Sequence, residues 1–94
     1  MHVISKKMLR EFWALYPDAE ESLRAWLQAA RREDWENFAE VRARFPKADR
    51  VGKLTVFNIA GNKYRLIAAI HHNRGKVRHV LTHAEYDRGG WKED

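Results

Sequence analysis

The sequence predicts an α+β fold: an N-terminal strand and two to three helices packed on one face of a mainly antiparallel sheet. Three observations predict it. Up to residue 46 the apolar residues recur at helical spacing. Beyond residue 46 they alternate with period two. Between two of the alternating runs stands Gly61-Asn62, a hairpin turn signal. With 94 residues, 45% hydrophobic and 33% charged, the chain suits one domain over 1–94 with a modest core.

"HVIS" at 2–5 opens the chain as a short strand. Ser5 then stands where a side chain can cap a helix, whose apolar residues Leu9, Phe12, Trp13 and Tyr16 keep i, i+3, i+4, i+7 spacing. Pro17 stops it. Asp18 is the expected cap of the next helix, with Glu21 three residues on as in a capping box. Leu23, Trp26, Leu27 and Ala30 form its apolar face. Glu20 and Glu21 at its start and Arg31 and Arg32 at its end suit the helix dipole. The two helices read as an antiparallel hairpin. A third, shorter helix starts from Asn37, turns Phe38, Val41 and Phe45 inward, and stops at Pro46.

Strands follow over 54–60 ("LTVFNIA") and 63–70 ("KYRLIAAI"), joined by a two-residue turn of the glycine-first kind. Pairing 60 with 63 sets Asn58 opposite Arg65 and Val56 opposite Ile67. Phe57, Ile59, Tyr64, Leu66, Ala68 and Ile70 then share an apolar face for the helices. Asn58, Lys63 and Arg65 share the other face near the turn. A third strand over 76–83 ("KVRHVLTH") follows the loop 72–75. Val77 and Leu81 are its expected core pair, so Arg78, Val80 and Thr82 face the side of Lys63 and Arg65.

The net charge of +5 is unevenly spread. Residues 1–40 hold six Lys and Arg against eight Asp and Glu, whereas residues 41–94 hold twelve against five. A basic half on a small domain favours a polyanionic partner such as nucleic acid, with plain solubility as the rival explanation. There is no cysteine, hence no disulfide and no thiolate chemistry. Lys6, Lys7 and Arg10 break any leader-like apolar run, and no stretch approaches a membrane span, so a cytoplasmic protein without membrane contact is expected.

Four histidines between 71 and 83 invite a metal reading. His79 and His83 have zinc spacing for a helix, but on a strand that spacing separates them by roughly 13 Å. No metal and no cofactor are therefore expected. Neither a nucleophile elbow, nor a phosphate loop, nor a dinucleotide fingerprint is present.

What remains is Asn58, Lys63, Arg65, Arg78, His83, Tyr86 and Asp87 on or beside one polar sheet face. RNA carries its own nucleophile, the 2′-hydroxyl. An enzyme that cuts it must move protons and stabilise phosphorane charge. His, Tyr and Lys can move protons, and Arg can clamp a phosphate in a bidentate fork. Each of these residues has a plain structural reading too: a solvated strand charge for Arg65 and Arg78, a core cap for Tyr86, a turn for His83. Their convergence favours phosphodiester cleavage by transesterification. Because Tyr64 and Leu66 carry the packing on the opposite face, Arg65 is expected to be dispensable for folding.

At these same residues the sequence resembles a known family. "MHVISKKMLREFW", "FNIAGNKYRL" and "THAEYD" are similar to the HigB-type toxins of type II toxin–antitoxin systems, which share the RelE/ParE-like fold. The resemblance runs from Met1 to about Asp87. It implies an mRNA endonuclease, usually acting in the ribosomal A site, that inhibits translation. It also implies a helix-turn-helix antitoxin of the HigA type, with DNA contacted only through the antitoxin complex. The resemblance implies a basic, sheet-centred site on Lys63, Arg65, Arg78, His83 and Tyr86. With the reading of the residues above, Lys63, Arg65, His83 and Tyr86 are the expected catalytic residues, and Asn58, Asn62, Arg78 and Asp87 are expected to contact RNA. A gyrase inhibitor of the ParE kind would need no proton-transfer set. A non-catalytic single-strand binder would need exposed stacking aromatics, whereas Phe57 and Tyr64 are assigned to the core.

Overall fold

A computed structural model describes residues 1–71 and 74–93. Strand β1 (His2–Ile4) leads into helices α1 (Lys6–Leu15), α2 (Glu20–Arg32) and α3 (Phe38–Arg44). Strands β2 (Asp49–Val51), β3 (Leu54–Ile59), β4 (Tyr64–His71) and β5 (Arg74–Thr82) follow, then a short helix α4 (His83–Arg88) and a 3-10 turn (Gly90–Glu93). The sheet order is β1-β5-β4-β3-β2. β1 runs parallel to β5, and the other neighbours are antiparallel. The predicted α+β class and mainly antiparallel sheet hold. β2 and α4 are additions that the periodicity did not indicate. Among the described residues no helix is long and apolar enough to cross a membrane.

The helices bury one face of the sheet. Leu9, Leu23, Trp26, Trp35 and Val41 pack against Phe57, Ile59, Leu66, Ala68, Val77 and Val80. Phe57 sits at the centre of the aromatic contacts, edge-on to Trp26 at 5.4 Å and to Phe45 at 5.2 Å. The first hairpin has the predicted register, with Asn58 opposite Arg65 and Val56 opposite Ile67. Gly61 lies at φ +68 in the turn, which suits the glycine-first geometry. Ala60 is also left-handed, at φ +52.

Two predicted caps do not form. Ser5 precedes α1 in a left-handed conformation, and its side chain makes no capping bond. Asp18 belongs to a 3-10 turn (Pro17–Ala19), and α2 starts at Glu20 without a side-chain cap. Asp18 bonds across the molecule instead: it accepts from the Tyr64 hydroxyl at 2.6 Å and from Lys63 Nζ at 3.1 Å. Asn37 does cap α3, accepting from the Glu40 N–H at 3.0 Å.

The third predicted strand has the wrong faces in its second half. Ile67 pairs with His79, but Ala68 pairs with Val77, so Arg78 is an extra residue at a bulge. The bulge reverses the alternation downstream. Val77 and Val80 therefore both reach the helix-facing core, while Leu81 packs on the opposite face. The strand begins earlier and ends earlier than expected: Arg74 and Gly75 already belong to β5, and His83 belongs to α4. His72 and Asn73 of the predicted loop lie outside the described residues.

Candidate active site

Helix α4 is specified by its own first turn. Thr82 has extended backbone, and its hydroxyl oxygen accepts from the Glu85 N–H at 3.2 Å. Glu85 Oε1 accepts in return from the Thr82 N–H and hydroxyl, both at 3.0 Å. This is a Thr-x-x-Glu capping box, the signal in "THAE" that marks the end of the strand. The Thr82 N–H, then its hydroxyl and the charge of Arg88, hold the Glu85 carboxyl below its ordinary range against partial desolvation. The His83 N–H donates to the Lys63 carbonyl at 3.1 Å, which fastens the helix start to the hairpin end.

The helix then presents His83, Tyr86 and Asp87 with i, i+3, i+4 spacing, which puts them on one side. His83 Nδ1 lies 2.9 Å from Asp87 Oδ2. Both side chains are at least half exposed. The carboxylate fixes the ring through Nδ1 and leaves Nε2 for another partner.

Under α4 lies Arg65. Its register opposite Leu81 and Asn58 puts it on the sheet face away from the main helices. Only 8% of it is exposed. The expectation of a solvated arginine is therefore wrong, because α4 and the 3-10 turn cover that face, and the surface position on which its dispensability for folding rests does not hold. Nη1 donates to the carbonyls of Asn62 and Tyr64, both at 3.1 Å, and Nη2 donates to Asn62 Oδ1 at 3.3 Å. The guanidinium also lies 5.2 Å from the centre of the Tyr86 ring. Among the described residues no carboxylate pairs with it. A buried cation held only by neutral acceptors keeps its charge for an incoming anion, and guanidinium has five N–H donors of which three are used.

The other sequence-derived residues divide. Asn62 joins the cluster as the clamp of Arg65. Lys63 turns toward the helical layer and pairs with Asp18. Tyr64, bound to the same carboxylate, has its phenol pushed up to about 12, first by that hydrogen bond and then by burial. Asn58 lines an edge cavity of about 360 Å³ with Ser22, Phe45 and Pro46. Arg78 sits at the bulge, opposite the far part of β4. Trp91 was missed altogether. It is 4% exposed, packs with Val56 and Ile67, and stacks on Tyr86 at 5.1 Å. A lone tryptophan behind "GG" in a polar tail has no periodicity to reveal it.

The model of one protein family, described as "HigB_toxin, RelE-like toxic component of a toxin-antitoxin system", matches residues 19–89. The chain belongs to the HigB toxin family. It is 32% identical over 92 residues to the "mRNA interferase toxin HigB" of Escherichia coli (strain K12), covering 93% of this chain and 88% of the relative. The "mRNA interferase HigB" of Escherichia coli O157:H7 and that of Shigella flexneri match with the same identity and coverage. As a HigB-family toxin the chain has an antitoxin as its partner. The family match takes in Lys63, Arg65, His83, Tyr86 and Asp87, and Trp91 lies beyond its end.

Proposed function

We propose that this HigB-family toxin is an mRNA endoribonuclease that cuts messages by metal-independent transesterification and so inhibits translation. The observation that carries the reading is the oriented His83–Asp87 pair one helical turn from Tyr86, whose ring lies against the buried, uncompensated Arg65. The names of the relatives point the same way.

The chemistry follows from what each group can do. The 2′-oxygen of the substrate attacks the adjacent phosphorus, and the bond from phosphorus to the 5′-oxygen breaks. The products are a 2′,3′-cyclic phosphate and a free 5′-hydroxyl. One proton leaves the 2′-hydroxyl and one arrives on the 5′-oxygen. His83 Nε2 is the exposed proton carrier, held by Asp87 at Nδ1. Tyr86, one helical turn further on, supplies a phenol hydroxyl as the second proton-transfer group. Arg65 faces the charge that builds on the phosphorane, already positioned by Asn62 and Tyr64, so little reorganisation is needed. Lys63 stands at the hairpin end as a further cation, released from Asp18 when a phosphate competes for it. Arg78 and Asn58 extend the contact along the strand.

The reaction takes place in the cytoplasm on ribosome-bound message, and the partner is a HigA-type helix-turn-helix antitoxin that alone contacts DNA. Primer extension on a translated message and on the same RNA without ribosomes tests the reading. Discrete cuts in the translated message, relieved by co-expressing the neighbouring antitoxin frame, are expected. Intact messages and normal growth under verified expression of soluble protein would overturn it.

A further inference from the structure

The C-terminal turn folds back under α4. Gly89 ends the helix in a left-handed conformation at φ +76, which a side-chain-bearing residue rarely adopts. Its N–H donates to the Tyr86 carbonyl at 3.1 Å, and the chain then enters the 3-10 turn. That reversal drops Trp91 onto the sheet against Val56 and Ile67. Its Nε1–H donates to the same Tyr86 carbonyl at 3.0 Å. Its ring lies 5.1 Å from the Tyr86 ring at an interplanar angle of 12°. The indole therefore holds Tyr86 twice, by backbone and by ring.

Tyr86 has nothing comparable on its own helix. It is only partly buried, on a helix of six residues with no fully buried side chain. A helix that short has little stability of its own, so the rotamer of Tyr86 depends on what packs against it. The Arg65 guanidinium, hydrogen-bonded to Asn62 and to the Tyr64 carbonyl, lies against that ring at 5.2 Å. A line of contacts thus runs from an apolar anchor, Trp91, through Tyr86 to the guanidinium.

We propose that Trp91 is a positioning residue of the toxin's active site, which fixes the Tyr86 ring and through it the Arg65 guanidinium for the phosphoryl chemistry. This rests on the ribonuclease reading given above. Trp91 touches no substrate in this scheme. It acts by removing alternative rotamers of Tyr86.

Simple truncation would confuse positioning with folding, because Trp91 also covers Val56 and Ile67. The decisive comparison is W91L against W91F in the full chain. Both keep an apolar side chain against Val56 and Ile67, and neither can make the Nε1 bond, but only phenylalanine offers a ring for Tyr86 to stack on. W91L should lower kcat by about tenfold to a hundredfold, the scale of a small displacement of a reacting group, with KM little changed. W91F should restore most of the rate. Independently of activity, nuclear Overhauser contacts between the Tyr86 ring and the Arg65 side chain should weaken in W91L and persist in W91F. Equal rates or equally strong Tyr86–Arg65 contacts in the two variants would overturn the proposal. If the parent itself cuts no message, the ribonuclease reading fails instead, and the Tyr86–Arg65 contacts still decide whether Trp91 positions Tyr86.

Discussion

The two faces of the sheet are built on different terms. The helix-facing side buries Leu66, Ala68, Phe57 and Val77 to within 1% exposure beneath three helices. Among the described residues the opposite side has only Val56, Ile67 and Trp91 as a buried apolar cluster, and the helix above it is six residues long. The first face has apolar area to spare, and none of the proposed catalytic side chains packs into it. The second is so thin that its packing, which includes Arg65, Tyr86 and Trp91, cannot be separated from its candidate chemistry. Changes on the first face should therefore alter stability alone, whereas changes on the second should alter stability and rate together.

Breaking the first face gives the largest expected effect. Leu66 is fully buried in the middle of β4. Leu66→Ala should cost about 2–5 kcal/mol through lost burial and a residual cavity. That is a large share of the roughly 5–15 kcal/mol that holds a domain together. Chemical denaturation reads the loss. Cleavage per folded molecule should stay near the parent's, and a specific loss of cleavage would erase the distinction between the faces.

On the second face Arg65→Ala should act on both quantities. Losing a preorganised donor should slow cleavage by about 10²-fold. The freed acceptors of Asn62 and Tyr64, with the emptied space below Tyr86, should cost about 1–3 kcal/mol. Arg65→Lys should recover part of the rate, because a point charge cannot reproduce the guanidinium fork. A variant that melts like the parent and cuts like it would remove Arg65 from the site.

The exposed rim should behave differently again, because His83 and Asp87 pack on little. His83→Ala should slow cleavage by about 10²-fold while stability stays within about 0.5 kcal/mol. Asp87→Asn should have a smaller effect on rate, since the imidazole remains and only its orientation is loosened. Single-turnover cleavage beside a melting curve measures both. Equal losses in the two variants would mean that Asp87 does more than orient the ring.

These differences also explain what the sequence could convey. The helical spacing of Leu9, Phe12, Leu23 and Trp26 and the alternation through Phe57 and Leu66 come from one large, regular face, so periodicity found it. The hairpin register was readable because Gly61 pins the turn. The bulge at Arg78 leaves no compositional mark, yet it exchanges the faces of Val80 and Leu81. Helix α4 did carry a local signal, Thr82 with Glu85, which the strand pattern running into it obscured. Burial of Arg65 could not be read from its own strand, because the ring that lies over it is Tyr86, 21 positions further along. Asp18 has the residue type of a cap, but its partners Lys63 and Tyr64 are more than 40 positions away. Contacts that distant are set by tertiary packing.

Asp18 also joins the two regions, since it ties the helical layer to the hairpin that carries Arg65. The Tyr64 hydrogen bond, and then Lys63, hold its carboxyl below the ordinary carboxylate range. A depressed carboxyl pKa contributes stability above the unfolded value, and the contribution is lost as pH falls through the folded pKa. Tyr64 has the opposite sense. Its phenol is raised from 10.0 to about 12, so its contribution is whole below pH 10 and fades as the pH climbs toward 12. Asp18→Asn removes the titrating carboxylate and with it the charge that raises Tyr64, while an amide oxygen can still accept from the phenol. Stability of the parent and of Asp18→Asn, followed from acid to alkaline pH, should differ most in the plateau between the two limbs. The curves should begin to converge as the pH falls below about 4, meet once it has passed the depressed folded pKa of Asp18, and converge again as Tyr64 ionises. Parallel curves would show that the Asp18–Tyr64 bond contributes nothing that depends on charge, and that the hairpin is held to the helices by packing alone.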